Sequence, residues 1–354
     1  MTGNLFAPLG AGAPSMLIPG IFHSYSTGAG LAEGFRALGW DVGEVSVYDA
    51  LIESDMKALK LVARATRALA TASYNRAILA ACDTVRPQVM LTVKGSFITA
   101  ATLHELRRRG IRTVNFYPDR DFAHEGSAED ALDAYDLMIT SKSYQLDYLQ
   151  GRLGDRAAFV HHGYVPAVHR RRTPAGETPE YLWDVSYIGN ADPEKLGWLT
   201  ALATARPDLS MIIVGNGWRP LASGTPVERF VLGAPLVGDH FARVVEHSRI
   251  NLAVHYGSHA ATGWQDRVST RTFEIPACGG FMLHIDSDEL RSLFVPGDEC
   301  DVFSTPREMV DQVARYLADT SRRVAIADRG HTRAVPAYSL AARAAEIAAL
   351  IATK

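Results

Sequence analysis

The chain has 354 residues, of which 47% are hydrophobic and 21% charged, and its formal net charge is −3. This length exceeds one ordinary hydrophobic core, so we expect two domains. The charge gives no general attraction to nucleic acid or anionic membranes. Residues 1–20 lack the basic and apolar regions of a signal peptide, and no apolar run is long enough to span a bilayer. Cys82, Cys278 and Cys300 have no paired spacing, which argues against disulfides or zinc and favours a cytoplasmic location.

In the first half, short apolar runs alternate with longer helical patterns. The apolar runs predict strands at Ser15–Ile21, Val42–Tyr48, Gln88–Val93, Thr113–Tyr117, Leu137–Thr140 and Ala158–His161. The helical patterns lie at Leu31–Leu38, Met56–Thr84, Thr99–Arg109 and Ser143–Arg152. This alternation indicates βαβ units around a parallel sheet.

The segment His169–Pro179 interrupts the pattern with three consecutive arginines, two prolines and a glycine, which suits an exposed linker. The alternation then starts again. Strands are expected at Val185–Ile188, Ser210–Val214, Ile250–His255, Phe281–Ile285 and Asp301–Phe303. Helices are expected at Glu194–Ala205, Asp239–His247, Pro306–Ala318, Ser321–Gly330 and Leu340–Ile351. The pattern predicts an α/β protein of two Rossmann-like domains facing a cleft, at residues 1–168 and 180–336, followed by a helix in residues 337–354.

The segment Arg271–Phe281 carries the most specific combination of residues. Arg271 and Glu274 lie one turn apart on a short predicted helix. The glutamate could hold the two hydroxyls of a ribose, and the arginine could grip a phosphate with two parallel hydrogen bonds. Gly279 and Gly280 lack a Cβ and would let the backbone approach a ligand.

This segment resembles the nucleotide-sugar site of glycosyltransferases with the two-domain GT-B fold. Its sequence is most similar to the branch that includes the spore protein CgeB. Asp184–Gly189 opens the resemblance, and Phe294–Gly297, Arg315–Leu317 and Arg323–Gly330 continue it in the expected order. The resemblance implies a terminal helix that returns to the first domain. It also implies transfer from a nucleoside-diphosphate sugar, without a metal or another cofactor. Many retaining relatives carry two glutamates separated by seven residues; here Asp266 occupies the first position and Glu274 the second.

Two glycine turns follow successive strands of the second half, where open α/β sheets place ligands. They contain Gly189 and Asn190 in one case, and Gly215, Asn216, Gly217 and Trp218 in the other. Helices that begin beyond such turns favour phosphate. Lys195 could neutralise the diphosphate, as a lysine does in related enzymes, although a solvated helix lysine is the commoner reading. With Asp266, Arg271, Glu274, Gly279 and Gly280, these residues form the predicted donor site.

The first half carries candidates for the acceptor. A glycine-rich turn after the first strand contains His23 and Ser24, and it does not match the dinucleotide fingerprint GxGxxG. His23 and Asp119 could act on an acceptor hydroxyl as base or polarising group, with Arg271 stabilising the leaving group. Lys94 follows another strand and is a further acceptor candidate. Asp119 and Asp121 also match a DxD metal motif, but the doubled βα pattern favours a metal-independent fold.

A basic face on the helix at Met56–Arg76 contains Lys57, Lys60, Arg64 and Arg67. It could contact a phosphorylated acceptor or a membrane surface, while a solvated face is the commoner reading. The acceptor stays open among glycans, lipid-linked glycans, proteins, nucleic acids and small metabolites. The alternatives for function are a nucleotide-sugar epimerase, a non-catalytic binding or assembly protein, and a Rossmann oxidoreductase.

Overall fold

The structure is a computed structural model that describes residues 13–51, 56–122, 129–255, 257 and 262–354. The chain divides into two compact units. The first consists of Met1–His161 with Leu340–Lys354, and the second of His162–Ser339. Within the described part of the chain, no helix is long and apolar enough to cross a membrane.

The first unit is built on a parallel sheet of six strands in the order β2-β1-β3-β4-β5-β6. The strands are β1 (Ser15–Gly20), β2 (Asp41–Ser46), β3 (Val89–Val93), β4 (Arg112–Tyr117), β5 (Leu137–Thr140) and β6 (Ala157–Phe159). The helices are α1 (Thr27–Ala37), α2 (Lys57–Val85), α3 (Ala100–Arg108), α4 (Leu146–Leu153) and, at the end of the chain, α12 (Leu340–Thr353). The side chains of Lys57 and Lys60 lie outside the described residues, so the predicted basic face of α2 stays a prediction.

Two inner strands of this sheet, β4 and β5, are buried along their whole length. All six residues of β4 are buried, as are all four of β5. Continuous burial is typical of parallel strands whose two faces are both covered by helices. The final helix packs closely on α1. A Cβ at Gly34 would lie only 2.8 Å from Ala341 Cα, so the absence of a side chain at this glycine allows the approach. The predicted return of the terminal helix to the first domain is therefore confirmed.

The second unit is built on a parallel sheet of five strands in the order β11-β10-β9-β7-β8. The strands are β7 (Trp183–Ile188), β8 (Met211–Val214), β9 (Ser248–Ala253), β10 (Met282–Ile285) and β11 (Asp301–Phe303). The helices are α5 (Pro193–Ala205), α6 (Trp218–Ala222), α7 (Asp239–Glu246), α8 (Thr270–Ala277), α9 (Asp288–Leu293), α10 (Pro306–Ala318) and α11 (Thr320–Ala334). All the predicted strands are present, which confirms the α/β class with two parallel sheets.

The segment predicted as a linker belongs to the second unit, since the division of the chain falls at His161 and His162. Arg171 forms an ion pair with Asp328 at 2.6 Å, and the hydroxyl of Thr173 donates to Glu246 at 2.8 Å. These contacts anchor an arginine- and proline-rich segment that composition alone would leave in solvent.

Candidate functional site

The strand order of the second sheet reverses between β7 and β9, because β8 extends the sheet on one side of β7 and β9 on the other. Ligands of open α/β sheets bind at such a switch point, outside the carboxyl ends of the strands. Gly189 follows β7 at this edge, and His255 lies two residues beyond the end of β9. The predicted turn residues are therefore at the edge that binds ligands in this class of fold.

The two glycine turns at this edge are hydrogen-bonded to each other. The N–H of Asn216 donates to Asn190 Oδ1 at 3.2 Å, and the N–H of Ala191 donates to the Asn216 carbonyl at 2.8 Å. Gly215 has a φ of +146°, and a Cβ there would overlap the Gly189 carbonyl group. Only glycine fits this approach, so the turns after β7 and β8 act as one rigid backbone structure.

Two cationic side chains reach the same turn. The Nε of Arg271 donates to the Ile188 carbonyl, and its Nη2 lies 3.4 Å from where a Cβ of Gly189 would be. The Nζ of Lys195 donates to the Asn190 carbonyl at 3.1 Å, and Lys195 is only 3% exposed. This burial excludes the interpretation of Lys195 as a solvated surface lysine. The edge therefore carries two positive charges next to a helix N-terminus, a combination that favours phosphate.

Glu274 lies further along α8, half-buried and 3.9 Å from His169 Nε2. The Nδ1 of His169 accepts the Val165 N–H at 3.1 Å, so the proton of the neutral ring is assigned to Nε2, facing the carboxylate. Burial lowers the pKa of His169, which keeps the ring uncharged at neutral pH. The carboxylate consequently lies beside a neutral imidazole. Asp266 is buried in the loop that leads into α8.

Three predicted donor residues have other surroundings. Gly279 and Gly280 precede β10, so they lie at the amino edge of the sheet, opposite Gly189. A Cβ on Gly280 would lie 2.8 Å from Asn251 Nδ2, which shows that this glycine permits close packing. Trp218 is fully buried, and its indole N–H donates to the Gly189 carbonyl at 2.6 Å. The side chain of Trp218 therefore supports the turn at Gly189 through this hydrogen bond.

Sequence reasoning missed a buried histidine pair at this edge. The Nδ1 of His284 pairs with the Ile285 carbonyl at 2.5 Å, which assigns the proton to Nδ1 and leaves Nε2 as an acceptor. That Nε2 lies 3.0 Å from His255 Nε2 and 2.9 Å from Thr272 Oγ1. Burial lowers the pKa of His284 to about 4. A hydrogen-bonded chain thus links the first turn of α8 to His255, in the segment beyond β9. Only the position of His255 at the end of a predicted strand could have signalled it.

The first unit has its own switch point, between β1 and β3. A pocket of about 620 Å³ opens there, lined by the turns after β1, β3 and β4. His23, Lys94 and Asp119 all line it. Ser24 is exposed on the same turn and is not among the lining residues. The structure therefore brings together three of the four predicted acceptor residues.

A close ion pair dominates the polar side of this pocket. Lys94 Nζ lies 2.7 Å from Asp119 Oδ2, and both side chains are partly exposed. Asp121, the second carboxylate of the DxD match, lies 3.8 Å from Arg120 Nε and does not line the pocket. Among the described residues, no group of three or more His, Cys, Asp or Glu side chains is arranged to hold a metal ion.

Residues 196–349 match the family described as glycosyl transferase-like. The matched stretch covers most of the second unit and the final helix. The chain is therefore similar to glycosyltransferases over this stretch. A comparison with curated protein sequences gives no match.

Solved structures share the fold of the chain over nearly its whole length. A sucrose-phosphate synthase from Thermosynechococcus elongatus is 14% identical with a TM-score of 0.65, covering 96% of this chain and 98% of that one. HepE from Anabaena, in complex with UDP and glucose, is 11% identical with a TM-score of 0.61, covering 97% and 100%. A UDP-N-acetylglucosamine 2-epimerase from Listeria monocytogenes, described as putative in its own record, is 12% identical with a TM-score of 0.55, covering 96% of each chain. These similarities give the chain the GT-B fold.

Proposed function

We propose that this GT-B glycosyltransferase transfers a sugar from a uridine-diphosphate sugar to an acceptor bound by its first unit. The observation that carries the proposal is the convergence of Arg271 and Lys195 on the Gly189 turn at the switch point of the second sheet. A diphosphate needs positive charge and backbone N–H groups, and both are present at this edge. The solved complexes of HepE contain UDP, which favours uridine as the base. The sequence of Arg271–Phe281 supports the assignment of this protein to the CgeB-like branch.

In this proposal Glu274 holds the ribose and Arg271 the diphosphate. Arg271 and Glu274 lie on one helix, so α8 sets the spacing between the two groups. Asp266 would lie nearer to the sugar. During transfer, Arg271 and Lys195 would stabilise the negative charge that develops on the departing diphosphate. The two cations would thereby supply the stabilisation that a metal ion provides in other transferases, so we propose turnover without a divalent metal.

The acceptor would occupy the pocket of the first unit. Asp119 is the candidate to orient or deprotonate the acceptor hydroxyl, since it is the carboxylate that lines this pocket. His23 would polarise the same hydroxyl. Both side chains lie at the carboxyl edge of the first sheet, where ligands of this fold class bind.

Calorimetry with UDP tests the donor assignment. We expect the wild-type chain to bind UDP, and Glu274→Ala to weaken binding by roughly 1.5–3 kcal/mol, the value of a hydrogen bond to a charged group. Glu180→Ala, an exposed carboxylate in the same unit, is the matched control. Unchanged affinity in a folded Glu274→Ala protein would remove Glu274 from the site.

Turnover assays separate the proposal from its alternatives. We expect this protein to consume a UDP-sugar faster when an acceptor is present, and EDTA to leave that rate unchanged. Restoration by Mn²⁺ after loss in EDTA would instead assign Asp119 and Asp121 to a metal. The similarity to an epimerase structure makes epimerisation the second candidate. It would be revealed by interconversion of UDP-N-acetylglucosamine without any acceptor.

A further inference from the structure

We propose that the pocket of the first unit recognises an uncharged polyhydroxylated ring, as at the end of a neutral glycan, by stacking it on aromatic side chains and reading a vicinal diol with Lys94 and Asp119. This inference rests on the proposed function in taking the pocket as the acceptor site. It adds the chemical class of the acceptor.

The first support is a ladder of three rings at the pocket. His23 stacks on Tyr25, with centroids 5.3 Å apart and planes 20° apart, and the ring centroid of Tyr48 lies 5.5 Å from that of His23. Tyr25 is 37% exposed, a large aromatic surface for a side chain that lines a pocket. Sugar rings present apolar C–H faces, and covering an exposed aromatic face with one removes apolar area from water. The ladder is therefore suited to a ring-shaped ligand.

The second support is the charge balance of the lining. Lys94 and Asp119 are the only Lys, Arg, Asp or Glu side chains among the described residues that line the pocket, and their charges cancel. A phosphate or carboxylate entering the pocket would leave its hydration shell without a net positive charge to compensate. A diol presents a hydroxyl donor beside a hydroxyl acceptor. The pair matches it, since the carboxylate accepts one hydrogen bond while the ammonium donates the other.

The third support is that the loop carrying Lys94 is held in a strained conformation. Lys94 and Phe97 have φ values of +66° and +64°, in the left-handed region that non-glycine residues rarely adopt. Two buried amides hold them: Asn115 Nδ2 donates to the Lys94 carbonyl at 3.0 Å, and Asn75 Nδ2 donates to the Phe97 carbonyl at 2.7 Å. Strain that persists under such support is typical of a ligand site, because it fixes Lys94 before the ligand arrives.

The size of the pocket limits the ligand. About 620 Å³ lies within the range of pockets that enclose a small molecule, so the site holds a ring or two and not a folded polymer. The ligand that fits all of these observations is the terminal residue of a neutral saccharide or a cyclitol.

The experiment measures binding to the full chain by saturation-transfer NMR and calorimetry. The neutral probes are methyl glycosides of glucose, galactose, mannose and N-acetylglucosamine, together with myo-inositol; the anionic probes are glucuronate and glucose 6-phosphate. At least one neutral ring should bind, and its charged counterpart at least tenfold more weakly. Tyr25→Ala, Lys94→Met and Asp119→Asn should each weaken the neutral ligand about tenfold. Tyr148→Ala, with 39% exposure in the same unit and outside the pocket, is the matched control for Tyr25.

Tighter binding of the sugar phosphate than of every neutral ring would overturn the proposal, as would neutral binding that Tyr25→Ala and Lys94→Met leave unchanged. UDP binding, measured on the same samples, tests the proposed donor site separately. Loss of UDP binding with retained neutral-ring binding would refute the proposed function alone.

Discussion

The carboxyl edges of the two sheets differ in how they are built. At the first, side chains such as Tyr25, Lys94 and Asp119 surround an open pocket of about 620 Å³. At the second, the backbone around Gly189 and Gly215 is packed against itself and hydrogen-bonded, with two cations directed at it. An edge built from backbone suits a ligand part that never varies, such as a diphosphate. An edge built from side chains can change its specificity by substitution, as an acceptor site requires.

The largest expected effect tests whether the first edge carries the acceptor chemistry. Asp119→Asn should lower the rate of transfer by roughly 10²–10⁴-fold, the usual contribution of a general base, and leave UDP affinity unchanged. Asp121→Asn, two residues away and outside the pocket, is the matched control and should stay near the wild-type rate. Steady-state kinetics with calorimetry on both variants checks this. Full transfer activity in Asp119→Asn and in His23→Ala would move the chemistry away from this edge.

The difference between an edge built from backbone and an edge built from side chains also explains which features could be predicted from the sequence. Apolar runs located the strands, and Leu137–Thr140 and Asp301–Phe303 begin and end where predicted, because buried parallel strands are continuously apolar. Glycine turns and the arginine of α8 located the second edge, because local backbone chemistry leaves local signals. The histidine pair, the Lys94–Asp119 pair and the contact of Tyr48 with His23 join residues far apart in sequence. No local pattern reports such contacts. A glycine pair likewise does not reveal which sheet edge it occupies, and Gly279 and Gly280 lie before β10, at the amino edge.

The backbone character of the second edge gives the next largest effect. Gly215→Ala should destabilise the second unit by roughly 3–4 kcal/mol, from the strain of a positive φ and the overlap of the new Cβ with the Gly189 carbonyl. Gly197→Ala is the control: it lies in α5 with nothing within 4 Å of the added Cβ, and should stabilise by up to about 1 kcal/mol. Thermal unfolding with hydrogen exchange would assign the loss to a unit. An unaffected melting temperature in Gly215→Ala would mean that the two turns are not rigidly packed.

Acid should weaken both units, since each holds a histidine whose burial lowers its pKa to about 4, His161 in the first and His284 in the second. The unfolded chain takes up these protons near pH 6.5, whereas the folded protein resists them to about pH 4. Stability is thus fully present above pH 6.5 and falls as the pH drops from 6.5 to 4. For His284 the loss should approach about 3 kcal/mol at about 1.4 kcal/mol per pH unit.

Melting temperatures measured from pH 7 to pH 4 check this prediction. His284→Gln should flatten the dependence, while exposed His240→Gln should leave it as in the wild type. Equal slopes in all three proteins would place the acid sensitivity in other groups.

The smallest expected effect decides whether the second edge is a phosphate site. Arg271→Ala should weaken UDP binding by roughly 1.5–3 kcal/mol and hardly change the binding of uridine, because the guanidinium acts on the diphosphate. Arg271→Lys should recover only part of the loss, since lysine keeps the charge without the planar fork that fixes Nε on the Ile188 carbonyl. Exposed Arg267→Ala, four residues earlier, controls for the loss of one positive charge. Titrations of each variant with both ligands separate the two roles. Equal losses for UDP and uridine would make Arg271 a support of the β7 turn, and the phosphate would then depend on Lys195 and the backbone N–H groups of the turns.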